Sequence, residues 1–483
     1  MSLSLLSKRG LLLLLLFNNL ISYAQLQLPA IFSHYMVVQR DKPLNVWGKA
    51  DAGKEVTVIF SSQKKTTTAD GSGNWNLTLD PPILSIQPQD LIIESGTSIT
   101  FHNILVGDVW LCTGQSNMEY PMDRKLKKYA APQKGADTAE LELKKSTRMD
   151  AVRYLYVEKN LDKMPALPTK GWVGGTDTML KYVSAIGYFF AKEVYEKTKI
   201  PIGIISSSWG GTRIEEWTPD WAYKKSRVFK DSATITNFKI DGMHPGQKYN
   251  GMILPLIPFA IKGVLWYQGE SNCMIEDQAT YPDKFELFVK TWRNLFKDDE
   301  LPFYYVQIAP FFYTNRNDAK KHSAGLLPEF WEAQSRSLSL SNAAMAVTTD
   351  LVDNLSDIHP SYKWEVAHRL ALIALVKDYK KDDLEYSGPV YQSMKKSKTT
   401  IQLTFSHSTG LKSNDGKELN WFSVAGKDGV FMPAIATIKD DQIIISNPEV
   451  KKPKQVRFAW NETAQPNLVN AAGLPAAPFR TKR

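Results

Sequence analysis

Between residues 107 and 380 the hydrophobic period switches again and again, from short runs that are apolar throughout to longer amphipathic stretches and back. The runs GDVWLCT, VRYLYV, IPIGIISSS, IKGVLWYQ, PFYYVQIAP and AAMAVTTD predict strands. Residues 136–147 and the segments SAIGYFFAKEVYEKTK, YPDKFELFVKTWRNLFK, EFWEAQSRSLSL and SYKWEVAHRLALIALVKDY predict helices between and after them. A strand with no polar alternation must be buried on both faces, and strands joined by helices build a mostly parallel sheet covered on both sides. In such a sheet reactive groups collect at the carboxyl ends of the strands.

The flanks read differently. From Leu26 to about Val106, and again from about residue 381 to the end, short alternating runs are broken by Gly, Asp, Asn and Pro, which predicts β-rich modules. Within the first, ADGSGNW is a hairpin signal. The expected layout is a leader at 1–24, a β-rich module at 25–106, an α/β domain at 107–380 and a second β-rich module at 381–483. The leader reading rests on basic Lys8 and Arg9, the apolar run from Leu11 to Phe17 and the small-x-small pattern that ends at Ala24. That run is shorter than the roughly 20 residues that span a bilayer, so a cleaved signal peptide, a secreted or periplasmic chain and no stable membrane insertion are expected.

The 59 Lys and Arg against 50 Asp and Glu are scattered, with no extended basic stripe, so no nucleic-acid partner is expected. Only Cys112 and Cys273 are present, too few for a disulfide scaffold; one bond between them and two buried free thiols remain alternatives. Three N-x-S/T sequons, at Asn76, Asn354 and Asn461, are present.

Ser116 follows the apolar run VWLCT in the sequence T-G-Q-S-N-M, where Gly114 permits a sharp turn. A serine is a poor nucleophile until a base takes its proton. Among seven histidines, His359 sits on a loop after the strand AAMAVTTD, with Asp357 two residues before it. That suits a general base held in one tautomer; the same residues also read as a helix-entry turn in which Asp357 caps and Pro360 starts the helix. Two further segments follow buried strands and offer donors to an oxyanion: Gly210 and Gly211 in SSSWGGTRIEEW, and Gln268, Gly269, Glu270 and Asn272 in WYQGESN. Four strand ends thus deliver four parts of one hydrolytic machine.

GDVWLCTGQSNM, SSWGGTRIEEW, WYQGESN and SDIHPSYKWEVAHRLA, in this order, resemble the sialate O-acetylesterase family within the Ser-Gly-Asn-His hydrolase superfamily. IFSHYMVVQRDKPLNVWGKA is similar to that family's opening, and QVRFAWNETAQPNLVNAAGLPAAPFRT to its close. The resemblance implies a flavodoxin-like three-layer α/β/α hydrolase domain and metal-free removal of acetyl groups from sugar hydroxyls, with no cofactor. It implies Ser116 as nucleophile, His359 as base and Gly211 or Gly210 as a backbone donor beside the Ser116 N–H. In the third block, Gln268 takes the part of the superfamily's asparagine in preference to Asn272. The superfamily's acid lies three residues before the histidine, where this chain has Ser356; Asp357, Asp353 or a main-chain carbonyl is left to orient His359. Trp209, Arg213, Glu216 and Trp217 are expected to face substrate, with packing of Trp217 and pairing of Arg213 to Glu215 or Glu216 as alternatives, while Glu270 is expected to organise loops. Sialic acid, plant-wall xylan and pectin remain open as the acetylated sugar, an inert carbohydrate-binding protein is the reading from another class, and the oligomeric state is left open.

Overall fold

The computed structural model describes residues 26–145, 149–161, 169–174, 178–229, 238–316 and 321–481. The leader expected at residues 1–24 lies outside them. Seven strands form the central sheet in the order Ala343–Ala346, Phe303–Val306, Gly263–Tyr267, Thr97–Gly114, Ile202–Ser208, Val152–Tyr156 and Trp172–Gly174. Every neighbouring pair is parallel except the last. Setting aside the edge pair Val152–Tyr156 and Trp172–Gly174, chain order against spatial order is 2-1-3-4-5, the flavodoxin-like winding. The antiparallel edge strand Trp172–Gly174 was not legible as a strand, since three residues carry no period.

Every residue of Ile202–Ser208 and of Gly263–Tyr267 is buried. The cover is helical on both faces. Ala185–Thr198 packs against Lys363–Lys377, and Tyr281–Phe296 packs against Leu326–Arg336. Ser184 starts the first of these helices by accepting the Gly187 N–H at 3.3 Å, as an N-cap should.

The central strand is longer than the sheet needs. Its amino-terminal part pairs with Ser85–Ser95 in the N-terminal β module, Leu105 to Gly107 pair with Val37–Gln39, and Asp108 to Gly114 pair with Ile202–Ser208. The boundary expected at 106/107 therefore falls inside one strand. Buried Asp108 pins the junction by accepting from Gln39 Nε2 at 2.8 Å and from the Arg40 guanidinium at 3.0 and 3.1 Å. One apolar core runs through both parts.

ADGSGNW turns the chain, with Asp70 Oδ1 accepting from the N–H groups of Ser72 and Asn74, but it is not a hairpin. The strand before it, Gln63–Thr68, is already paired with Glu55–Phe60, and the strand after it, Asn74–Leu79, pairs with Leu44–Lys49. The turn thus passes the chain between two sheets. After the helix Lys363–Lys377 the next strand begins at Val390, and the C-terminal module that follows has a core of its own. Among the described residues no helix is long and apolar enough to cross a membrane.

Candidate active site

Four loops meet at the carboxyl edge of the sheet, around the point where the winding reverses. Gly114, at φ +136°, ends the central strand against Tyr267; a Cβ there would stand 2.2 Å from the Tyr267 carbonyl oxygen, so only glycine fits. The chain then enters the single turn Ser116–Glu119, with the Gln115 N–H bonded to Tyr267 O at 2.9 Å. Ser116 Oγ lies 2.8 Å from His359 Nε2. In the tautomer with its proton on Nδ1, His359 accepts the hydroxyl proton.

The loop that carries His359 is held from beneath. Asn117 Nδ2 donates to the Ile358 carbonyl at 3.0 Å, and Lys363 Nζ donates to the Pro360 carbonyl at 2.5 Å, so the residues on either side of His359 are both anchored. The anchors are linked, since Lys363 Nζ also donates to Asn117 Oδ1 at 2.8 Å and Asn117 Nδ2 to Glu270 Oε1 at 2.5 Å. Lys363 and Glu270 are both buried, which pushes the ammonium down to about 7 and the carboxyl up to about 6. Above the loop the Tyr129 ring covers the imidazole at a centroid distance of 4.5 Å. Burial first, and the Lys363 charge second, push His359 down to about 4. A neutral imidazole in contact with a serine hydroxyl is ready to accept its proton.

Asp357 does not complete a hydrogen-bonded triad. Its Oδ1 accepts the main-chain N–H of His359 at 2.8 Å and stands 3.8 Å from His359 Nδ1, beyond hydrogen-bond reach. Asp353 is turned elsewhere, accepting from Tyr362 Oη at 2.9 Å and from the Gln133 N–H.

On the donor side, Gly210 packs directly on the serine, with a Cβ there 3.1 Å from Ser116 Cβ. Its own N–H donates to Glu119 Oε2 at 2.5 Å, while Glu119 Oε1 pairs with Lys127 at 2.7 Å and Lys159 at 2.8 Å. Gly211 is exposed, and its N–H, like that of Ser116, has no acceptor among the described residues. Gln268 is fully buried, and its Nε2 faces Asn272 Oδ1 at 2.7 Å and Gln115 Oε1 and Thr212 O at 3.2 Å each, which occupies its donors within the protein. Asn272 is likewise spent: Oδ1 also accepts the Ile214 N–H, and Nδ2 donates to Glu215 and Asp277. The two side chains support Gln115 and the loop behind the serine instead of pointing at it.

Of the four residues expected to face substrate, the structure brings Trp209 alone to the rim. Arg213 is buried with its guanidinium on the carbonyls of Ile240 and Asp241; Glu216 accepts the Arg213 N–H and pairs with Lys248; Trp217 is packed in the core with Nε1 on Thr212 Oγ1. The Trp209 ring has Lys248 Nζ at 4.0 Å and Lys159 Nζ at 5.3 Å from its centre. Beneath this segment Glu215, Asp241 and Asp277 converge, and the Lys284 ammonium holds all three at 2.9, 2.5 and 2.6 Å, in the place a cation would take. Glu119, Asn117 and Lys363 were not singled out from the sequence; Glu119, three residues after Ser116 in the same turn, was the one with a positional signal.

A flavodoxin-order sheet with a serine and a neutral histidine in contact at its carboxyl edge describes an α/β serine hydrolase. Residues 106–374 match the family described as carbohydrate esterase, sialic acid-specific acetylesterase. The chain is 27% identical to mouse sialate O-acetylesterase over 92% of each chain, and 28% identical to the human enzyme of that name over 92% of this chain and 90% of that one. The crystal structure of a carbohydrate acetylesterase from Xanthomonas citri superposes with a TM-score of 0.83 at 33% identity, covering 95% of this chain and 99% of that one. The chain belongs to the sialic acid-specific acetylesterase family of carbohydrate esterases, and it is a carboxylic ester hydrolase that removes O-acetyl groups from sugars.

Proposed function

We propose that the chain deacetylates O-acetylated sialic acid by a Ser116–His359 dyad through an acetyl-serine intermediate. The observation that carries the reading is the 2.8 Å contact between Ser116 Oγ and His359 Nε2 at the sheet's switch point. His359 takes the hydroxyl proton as Ser116 attacks the acetyl carbonyl, and the oxyanion forms beside the free N–H groups of Ser116 and Gly211. The imidazolium then protonates the departing sugar oxygen, and water repeats the cycle to release acetate. In this reading Glu119 fixes Gly210 against the serine, Asn117 and Lys363 fix the His359 loop, and Asp357 shapes that loop through the main chain. Trp209 offers a face to the sugar, with Lys159 near enough to meet a carboxylate.

The names of the curated relatives favour sialate; a panel of O-acetylated sialic acid, acetylated xylan and acetylated pectin decides the sugar. Ser116→Ala is expected to abolish release of acetate from 4-nitrophenyl acetate while the protein stays folded by circular dichroism. Wild-type turnover in that variant sinks the assignment. Secretion after cleavage behind Ala24 is part of the same reading, tested by amino-terminal sequencing of the exported protein.

A further inference from the structure

Where the C-terminal module meets the hydrolase domain, a cavity of about 560 Å³ opens between the helix Leu326–Arg336 and the strands Gln455–Phe458 and Phe479–Arg480. Its volume is within the roughly 300–1,000 Å³ typical of small-molecule sites. Three arginines line it, Arg336, Arg457 and Arg480, with Glu332 as the one carboxylate in the wall.

Arg457 and Arg480 are direct partners across an antiparallel pair. Like charges placed opposite each other destabilise a sheet, so this placement needs a compensating partner. Arg480 has one: its Nε and Nη2 hold the two Glu332 oxygens at 3.0 and 2.7 Å, and Arg336 shares one of those oxygens at 3.3 Å. Both Glu332 oxygens are thereby used.

The Arg457 side chain has no hydrogen bond or ion pair among the described residues, and its Nε is buried without a partner. Glu329 lies close enough to favour its charge, while burial and Arg480 oppose it. The guanidinium carbon instead lies over two rings, 3.9 Å from the centre of Phe431 and 5.5 Å from that of Trp460. A guanidinium that packs on rings and has no carboxylate partner keeps its N–H groups for one, which suits capture of a carboxylate. Gln455 and Thr481 add polar groups to the same wall.

The place of this cavity separates it from the dyad. Leu326–Arg336 links two parallel strands, so its last residue, Arg336, lies at the amino edge of the sheet, whereas Ser116 and His359 stand at the carboxyl edge.

We propose that this cavity is a second, non-catalytic carbohydrate site that holds the carboxylate of an acidic sugar on Arg457. The inference extends the reading of an acidic sugar as substrate: a chain that docks on an acidic glycan through its C-terminal module raises the local concentration of acetyl esters at Ser116.

Calorimetric titration of Ser116→Ala with 3′-sialyllactose, lactose and sodium sulfate tests it. Sialyllactose is expected to bind with at least one site that the double variant Ser116→Ala/Arg457→Met loses or weakens tenfold or more, and lactose is expected not to fill that site. Identical isotherms for the two proteins, or no binding by either, overturn the proposal. Sulfate that displaces sialyllactose at equal concentration, with lactose inert, shows a small-anion site only and overturns the sugar assignment. Arg457→Met alone is expected to turn over 4-nitrophenyl acetate like wild type, which shows that the variant folds. Failure of the esterase reading appears in Ser116→Ala turnover and leaves the titration unaffected.

Discussion

Asp357 accepts the main-chain N–H of His359 at 2.8 Å and stands 3.8 Å from the same residue's Nδ1. The carboxylate therefore shapes the loop and does not grip the imidazole. Removing its charge should cost less than removing the base. For Asp357→Asn, whose Oδ1 still accepts the His359 N–H, a fall in kcat of about tenfold is expected, against roughly a thousandfold or more for His359→Ala. Equal losses in steady-state assays would restore Asp357 to a full triad role.

Lys363 is expected to set the acid limb of the pH profile. In the proposed dyad His359 acts as a base only when neutral, so kcat/KM is expected to fall as pH drops through its pKa, which burial and Lys363 hold at about 4. Glu119 pulls the other way, favouring the imidazolium. Lys363→Met fills the same buried space without the charge, so the imidazolium becomes easier to form and the pKa rises. The limb is expected to move to higher pH, and the plateau to drop because Pro360 and Asn117 lose an anchor. A lower plateau with an unmoved limb would confine Lys363 to packing; profiles between about pH 3.5 and 8 distinguish the two.

The two thiols are free, and burial pushes both up, into the unreactive protonated form. Cys112 faces Gly187 on the covering helix, whereas Cys273 lies beside Tyr313. An aromatic disulfide reagent is expected to find no thiol in the native protein and two per chain after denaturation without reductant. A count of zero after denaturation would show a bond between them.

The parallel strands of the sheet and the helices that cover them were legible because each changes the hydrophobic period, and Ser116 and His359 were legible because both follow apolar strands. What eluded the sequence depends on tertiary neighbours. WGGTRIEEW looked like a rim loop, yet Ile214–Trp217 folds inward as a short 3₁₀ turn, and the partners that bury Arg213 and Glu216 come from residues 240, 241 and 248. Gln268 looked like a donor to the oxyanion, but which way a buried amide faces is decided by Gln115, Thr212 and Asn272 together. Lys363 carried no signal of its own within the predicted helix; its burial beneath Asn117 follows only once residues 117 and 363 meet.

Adjacent glycines are expected to fail differently. At Gly210 a Cβ would stand 3.1 Å from both Ser116 Cβ and Glu119 Oε2, so one of them must shift by a few tenths of an ångström. The backbone there has no positive φ and accepts alanine. Gly210→Ala is expected to keep its melting temperature and to lose roughly ten- to a hundredfold in kcat, because small displacements at a reacting atom are costly. At Gly211 a Cβ meets nothing within 4 Å, but φ is +77°. Gly211→Ala is expected to lose about 1–2 kcal/mol of stability from the left-handed conformation, together with activity as its N–H tilts. Parallel thermal melts and kcat measurements on the two variants check this, and a Gly210→Ala protein with wild-type kcat would show that this glycine does not set the position of Ser116.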